Sequence, residues 1–243
     1  IRNQENLKML SLIIYNPAFG QPSGSPFCTK ALCLLQMSGV KWKPEYSNDP
    51  RSAPMAKFPV LRDGETLIAD SSIIQKYLEE HHGADFGSWL SKEQQATGHA
   101  LVRMAEEHLY FHIVNDRWGR DKVWKRTMPV YFEQMPAILR MFIPASIRKQ
   151  VKAGLNFLGI GRFSENMLED RVNSDLAAIS NILADKEFLF GEKACFADAA
   201  IVAQLAAMAA TPSNTQAANA VKSNKNLYEY IARFQTAHYP KST

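Results

Sequence analysis

Met9 to Tyr15 is a run of β-prone apolar residues interrupted only by Ser11, and it gives way to nine residues, Asn16 to Gly24, rich in Pro, Gly and Ser. From Ser25 to Ser38 apolar residues recur at helical spacing and stop at Gly39, so the chain reads strand, loop, helix. Trp42 to Tyr46 predicts a second strand and Pro50 to Phe58 an irregular connection. Pro59 to Arg62 and Thr66 to Ala69 predict two short strands around the Asp63-Gly64 turn. A helix from Asp70 or Ser71 to His82, closed by Gly83, completes a β-α-β-β-β-α unit.

Beyond Ser91 the pattern turns helical. Helices are expected over Lys92 to Trp118, Lys122 to Met135, Ser146 to Phe157, Ser164 to Asp185, Ala197 to Ala210 and Asn226 to Ala237. No strand, internal repeat or low-complexity tract interrupts them. The expected fold class is α/β followed by all-α: a small unit over 1–85 and a helical unit over 90–243, with the boundary near Ala84 to Trp89.

Length and composition agree with that division. A chain of 243 residues suits two modest domains or one large one, and 46% hydrophobic with 21% charged residues excludes a disordered or collagenous chain. The Ala-rich stretch from Ala199 to Ala210 is broken by Gln204, and no apolar run reaches the ~18 residues of a membrane span. Met9 to Tyr15 is short for a signal segment and no small-x-small cleavage site follows it. Cys28, Cys33 and Cys195 cannot all pair, which points to free thiols and a reducing cytoplasm. The net charge of +4 is unevenly spread: ten Lys or Arg against Asp121 and Glu133 lie between Arg117 and Arg162.

Three segments carry candidate chemistry. Ser25 precedes Pro26 as N-cap and first helical residue, so the unpaired N–H groups and positive dipole end of that helix face the loop, a setting that suits an anion or thiolate. In Lys57-Phe58-Pro59-Val60 a cis bond before the strand would expose the Phe58 backbone to a peptide-like ligand. Asp70-Ser71-Ser72 opens the later helix, where the Ser71 hydroxyl and the N–H groups could hold a carboxylate. Plain capping explains the first and third segments equally well.

Other features are weaker. His108, His112 and Asp116 share one face of an expected helix, but Leu109, Tyr110 and Phe111 beside them favour a core helix, and no metal site is expected. His81 and His82 read as dipole-facing residues at a helix C-terminus. Walker, Rossmann and nucleophile-elbow motifs are absent, and no aromatic stacking motif suggests nucleic acid. Residues 140–162 interleave Arg140, Arg148, Lys149, Lys152 and Arg162 with Met141-Phe142-Ile143, Leu155 and Phe157-Leu158. That reads as a solvated helix with an apolar inner face, the alternative being weak contact with an anionic membrane surface.

Taken together, Ser25-Pro26-Phe27-Cys28, Lys57-Phe58-Pro59-Val60-Leu61 and Asp70-Ser71-Ser72-Ile73-Ile74 in this order resemble the thioredoxin-like N-terminal domain of cytosolic glutathione S-transferases. Leu189-Phe190-Gly191-Glu192 followed by Phe196-Ala197-Asp198 resembles the capping-box helix of their all-helical C-terminal domain. The resemblance implies glutathione as co-substrate, with its γ-glutamyl carboxylate at Asp70 and Ser71 and its cysteinyl backbone against Phe58, next to Pro59. Its sulfur would face Ser25, with Tyr15 and Cys28 as alternatives. It also implies a small hydrophobic electrophile held by the helical domain, near Met104, Tyr110 and Trp118, and a homodimer.

More narrowly, Ser25-Pro26-Phe27-Cys28-Thr29-Lys30, Glu107-His108-Leu109-Tyr110, Gly159-Ile160-Gly161-Arg162 and Asn226-Leu227-Tyr228-Glu229-Tyr230 resemble the metaxin and failed-axon-connections branch. That implies an alternative, a non-catalytic adaptor using the same fold for protein or membrane-surface contacts. Two departures stand out. Serine at 25 removes any dithiol cycle with Cys28, and Cys195 in place of Ser or Thr leaves Asp198 with a poorer capping partner.

Overall fold

The computed structural model describes residues 9–240, so the outer ends of the two expected units, 1–8 and 241–243, lie outside it. Four strands form one sheet in the order β2-β1-β3-β4: β1 (Leu10–Ile14), β2 (Trp42–Tyr46), β3 (Val60–Asp63) and β4 (Thr66–Ala69). β1 pairs in parallel with β2 and antiparallel with β3, and β3 turns back on β4 with Val60 opposite Ala69. Leu10, Ser11, Leu12 and Ile14 are all buried, as befits a central strand covered on both faces, which is why β1 reads as a nearly continuous apolar run.

Helix α1 (Pro26–Ser38) crosses from β1 to β2 and ends where Gly39 takes the left-handed conformation, φ 70°. Helix α2 (Ser71–His82) follows β4, packs beside α1 and closes at Gly83. His82 does not simply face the helix end: its Nε2 lies 3.0 Å from Asp63 Oδ2, which also accepts the Tyr77 hydroxyl at 2.9 Å, so the histidine ties α2 to the β3–β4 turn.

The rest of the described chain is helical. One long run comprises α3 (Lys92–Met104), a π-turn (Ala105–Leu109), α4 (Tyr110–Val114) and a second π-turn (Asn115–Gly119). After it come α5 (Asp121–Tyr131), α6 (Ala137–Arg140), α7 (Ile143–Phe157), α8 (Glu165–Leu183), α9 (Phe196–Ala209), α10 (Gln216–Ser223) and α11 (Lys225–His238). The short helices α6 and α10 fall outside the expected set, each having too few residues for a helical period to register in sequence.

Helix α9 is the axis of the core. Ala197 to Met208 are all buried, and the helix packs on α1, α3, α10 and α11, so the core runs unbroken from the sheet into the helical layer. Small residues make that possible: a Cβ on Gly98 of α3 would come within 2.8 Å of the Phe196 ring. Asp198 accepts from Leu189 N at 2.9 Å, Cys195 N at 2.8 Å and the Tyr230 hydroxyl at 2.5 Å. Burial pushes this carboxyl's pKa up and the three donors oppose it without cancelling it; Leu189 N and the Tyr230 hydroxyl, both outside the capping box, supply partners beyond Cys195.

Candidate active site

The loop after β1 is pinned by its own polar groups. Gly24 N donates to Asn16 O at 2.9 Å, Ala18 and Gln21 bridge one another, and Ser23 Oγ donates to Tyr15 O at 2.9 Å. This delivers Ser25 to the N-cap of α1 in an extended conformation, with Pro26 at the first helical position. The Ser25 side chain makes no capping bond, leaving its hydroxyl beside an uncapped helix N-terminus.

Cys28 lies one turn further in and is wholly buried, close to the Ser25 and Ser23 hydroxyls. Burial outweighs those hydroxyls and the Tyr15 backbone and pushes the thiol up to about 11, which keeps it protonated at neutral pH. Tyr15 packs edge-on against Phe58, ring centroids 5.0 Å apart. Burial raises its phenol too, helped by Cys28 and Tyr110, so it is a hydroxyl donor rather than a phenolate.

The Phe58–Pro59 peptide is cis, and Asp70 N donates to Pro59 O at 3.3 Å, which sets the start of α2 next to the start of β3. Asp70 has φ 79°, a left-handed backbone unusual for a residue with a side chain. Its carboxylate accepts from Ser72 N at 2.8 Å and Ile73 N at 3.3 Å. Those two N–H groups are thus already capped by the chain's own carboxylate, the capping account of this segment. Ser71 is 1% exposed and its hydroxyl has no partner among the described residues. A buried, unpaired hydroxyl costs about 1–3 kcal/mol, a debt that an incoming acceptor would cancel.

A cavity of about 380 Å³ opens between the 15–26 loop and the helical layer, with Tyr15, Ser25, Tyr110, Arg117, Trp118 and Tyr131 among its walls. Tyr110 and Trp118 are where the sequence places them, whereas Met104 packs against the core instead. Phe58, Pro59, Asp70 and Ser71 do not line this cavity; Phe58 approaches it through Tyr15. Two half-sites result, a polar corner at α2 and an aromatic cavity at the start of α1. The cavity's outer wall is the α5–α7 segment, through Val130, Phe132, Ile147 and Val151.

Several residues at the site escaped the sequence reading. Lys30 of α1, 2% exposed, reaches Glu106 Oε1 at 2.7 Å and Ser72 Oγ at 3.0 Å. Arg117 and Tyr131 are brought in by the second π-turn and by the end of α5. The signal for Lys30 was a lysine within the apolar Cys28-to-Leu35 stretch; Arg117 offered only a charge within a helix rich in aromatics. His108, His112 and Asp116 stay on one side of the helical run, the two histidine rings 4.8 Å apart, but they hold different partners. His108 bonds Asp175 and faces Arg171, Asp116 holds Arg120 at 2.7 Å, and His112 is buried with its Nε2 unpartnered.

A mixed four-stranded unit with an N-capped corner, followed by a helical layer that supplies the opposing wall, is the two-domain architecture of glutathione transferases. Glutathione S-transferase N-terminal domain models match residues 26–123 and C-terminal domain models residues 172–234. The isoprene-epoxide glutathione S-transferase of Rhodococcus sp. strain AD45 is 30% identical over 236 residues, 93% of this chain and 98% of the relative. This chain belongs to the glutathione S-transferase family. Metaxin-1 of Mus musculus is 26% identical over 243 residues, 96% of this chain and 76% of the relative. In fold this chain is similar to a glutathione S-transferase of Ceriporiopsis subvermispora solved with glutathione, at TM-score 0.67, 14% identity and 97% and 100% coverage of the two chains.

Proposed function

We propose that the protein is a glutathione transferase that binds glutathione through residues 1–85 and presents its thiolate to a small hydrophobic electrophile held by residues 90–243. The observation that carries this reading is the Ser25 hydroxyl, which makes no capping bond at the N-terminus of α1 and stands on the wall of a cavity large enough for a small organic molecule. In this reading the γ-glutamyl carboxylate lies at Asp70 and Ser71, where the Ser71 hydroxyl lacks an acceptor. The cysteinyl backbone lies along Phe58 and Pro59, and the sulfur meets Ser25, with Tyr15 as a second donor.

The chemistry asked of Ser25 is modest. A free thiol has pKa ~8.5, and bringing it down by ~2 units takes roughly 2.7 kcal/mol of preference for the thiolate. A hydroxyl donor and a helix N-terminus together supply an amount of that order. Cys28, buried and protonated, takes no part. The relative named for isoprene epoxide makes small epoxides the first acceptors to try. The reading includes a homodimer and a cytoplasmic setting, consistent with three buried free cysteines.

Calorimetric titration with glutathione tests it. Binding that is lost in Ser71→Ala, together with turnover that falls in Ser25→Ala while binding persists, supports the transferase. No binding at millimolar glutathione overturns it.

A second reading, the non-catalytic adaptor, is favoured by a specific surface. Ile138, Leu139, Met141, Phe142, Phe157 and Leu158 are exposed, Phe157 by 88%, although the sequence pattern had Met141, Phe142, Phe157 and Leu158 facing inward. Lys149, Lys152 and Arg162 are exposed among them, with no acidic residue between Gln134 and Ser164. That combination suits an anionic membrane surface. No helix among the described residues is long and apolar enough to cross a membrane. Co-sedimentation with phosphatidylserine vesicles but not phosphatidylcholine vesicles, lost in Phe142→Ser/Phe157→Ser, supports this reading; no sedimentation with either removes it.

A further inference from the structure

Arg117 is 3% exposed, yet its guanidinium stands on the cavity wall and forms no ion pair with any described carboxylate. Each of its acceptors is neutral. Nε donates to Thr211 Oγ1 at 3.1 Å, Nη2 to Ala207 O at 2.6 Å, and Nη1 to Gly24 O at 3.3 Å and the Tyr131 hydroxyl oxygen at 3.1 Å. The Phe19 ring lies 4.7 Å away. Its neighbours Asp116 and Arg120 are paired with one another. Ala207 sits in the last turn of α9, whose carbonyl end offsets part of the charge, but a buried cation held only by neutral dipoles leaves positive potential facing the cavity.

Tyr131 sharpens that potential to a point. Its hydroxyl oxygen accepts from Arg117, so its hydrogen must be directed elsewhere, and no described group accepts it. The Trp118 ring stacks on Tyr131 at 5.4 Å and 20°, which fixes the phenol against the cavity. Tyr110, across the same cavity, is pushed up to about 12 by burial and Tyr131 against the pull of Arg117, so it too presents a proton rather than a charge. A cavity with a fixed cation behind an uncommitted O–H donor is built for negative charge on an oxygen atom.

We propose that Arg117 and Tyr131 form an oxyanion site, and that the acceptors of this protein are therefore oxygen electrophiles, epoxides above all, rather than halides. The choice of acceptor rests on the transferase reading; the anion site does not. In the step envisaged, the thiolate sulfur of glutathione bonds to an epoxide carbon and the carbon–oxygen bond breaks with its electron pair going to oxygen. The alkoxide takes the Tyr131 hydroxyl proton, and the phenolate, held by Arg117, regains a proton from water. Tyr131 touches the reacting oxygen and is the catalytic residue; Arg117 acts through it as a positioning residue.

Two measurements test this. In the first, quenching of tryptophan fluorescence, to which cavity-lining Trp118 contributes, follows titration with benzoate and with its neutral counterpart benzamide. Wild-type protein should bind benzoate at least tenfold more tightly; Tyr131→Phe should shrink that preference severalfold, and Arg117→Met should abolish it while Arg117→Lys keeps part. Equal affinity for the two probes, or a preference untouched by Tyr131→Phe, overturns the anion site. Should Arg117→Met fail to fold, Tyr131→Phe, which removes a single oxygen, carries the test.

In the second, turnover of glutathione with styrene oxide is compared with turnover on benzyl chloride. Tyr131→Phe should lower kcat on the epoxide at least tenfold more than on the halide, with KM for glutathione unchanged. Equal losses on both overturn the catalytic role. Benzoate selectivity without turnover of either acceptor overturns the transferase reading and the epoxide assignment, and upholds the anion site.

Discussion

Lys30 Nζ lies 2.7 Å from Glu106 Oε1, with both side chains almost fully buried, joining α1 to the first π-turn of the helical layer. The partners are unequal in what else they hold. Glu106 also meets Arg103 at 2.5 Å, at the protein surface, whereas among the described residues Lys30 has only Ser72 Oγ besides. Removing one member of a buried pair costs about 3–5 kcal/mol because a charge is stranded. Glu106→Leu should cost that much, Lys30→Met less, since Arg103 still serves Glu106. The double variant Lys30→Met/Glu106→Leu should recover most of the loss; urea denaturation midpoints read all three.

The Asp198 carboxylate depends on Tyr230 in a comparable way. Tyr230→Phe removes the hydroxyl donor at 2.5 Å and leaves the buried carboxylate with two backbone donors. A hydrogen bond to a charged group contributes about 1.5–3 kcal/mol, so thermal unfolding should show a loss in that range. A neutral effect would mean that the Leu189 and Cys195 N–H groups suffice.

What could be read from the sequence divides along contact distance. The β1–α1 corner, the turn at Asp63-Gly64 and the Asp198 cap are set by residues within a few positions of each other, so periodicity and capping rules reach them. Arg117 finds its acceptors at Gly24, Ala207 and Thr211, some ninety residues away in either direction, and nothing local distinguishes it from Arg120. Tyr230 is likewise a helix residue until the fold sets it beside Asp198. Helix α10 is missed for a different reason: its eight residues follow the turn-rich Thr211-to-Asn214 stretch, and only the Thr215 hydroxyl on Ala218 N marks its start.

His112 should make stability depend on acidity. Burial, reinforced by His108 and Arg171 against Asp175, lowers its pKa from 6.5 to about 4. Folding therefore favours the neutral ring. Its contribution is complete above the unfolded value near 6.5 and is lost as pH falls through the window down to about 4, where the unfolded chain binds a proton and the native one does not. The full effect is about 3 kcal/mol by the linkage relation. Urea unfolding of wild type and His112→Asn at pH 7.5, 5.5 and 4.5 should show a steeper decline in wild type. Parallel curves would mean that His112 is protonated in the native state, with its unpartnered Nε2 reaching an acceptor.

Cys28 separates the serine corner from a thiol corner. The residue lies three positions from Ser25, as a second cysteine would in a redox pair, yet it is wholly buried and its thiol is pushed up to about 11. At pH 7.5 such a group is less than about 0.1% thiolate, and its sulfur is shielded from reagents. Native protein treated with iodoacetamide should therefore remain unmodified at position 28 by peptide mass spectrometry, while protein unfolded in urea is alkylated there. Cys28→Ala should leave glutathione affinity within about twofold. The cost should fall on stability, about 1 kcal/mol for a small cavity at a packed helix start. Rapid alkylation of the folded chain would show instead that the α1 N-terminus opens to admit reagents, and would return Cys28 to the chemistry of the site.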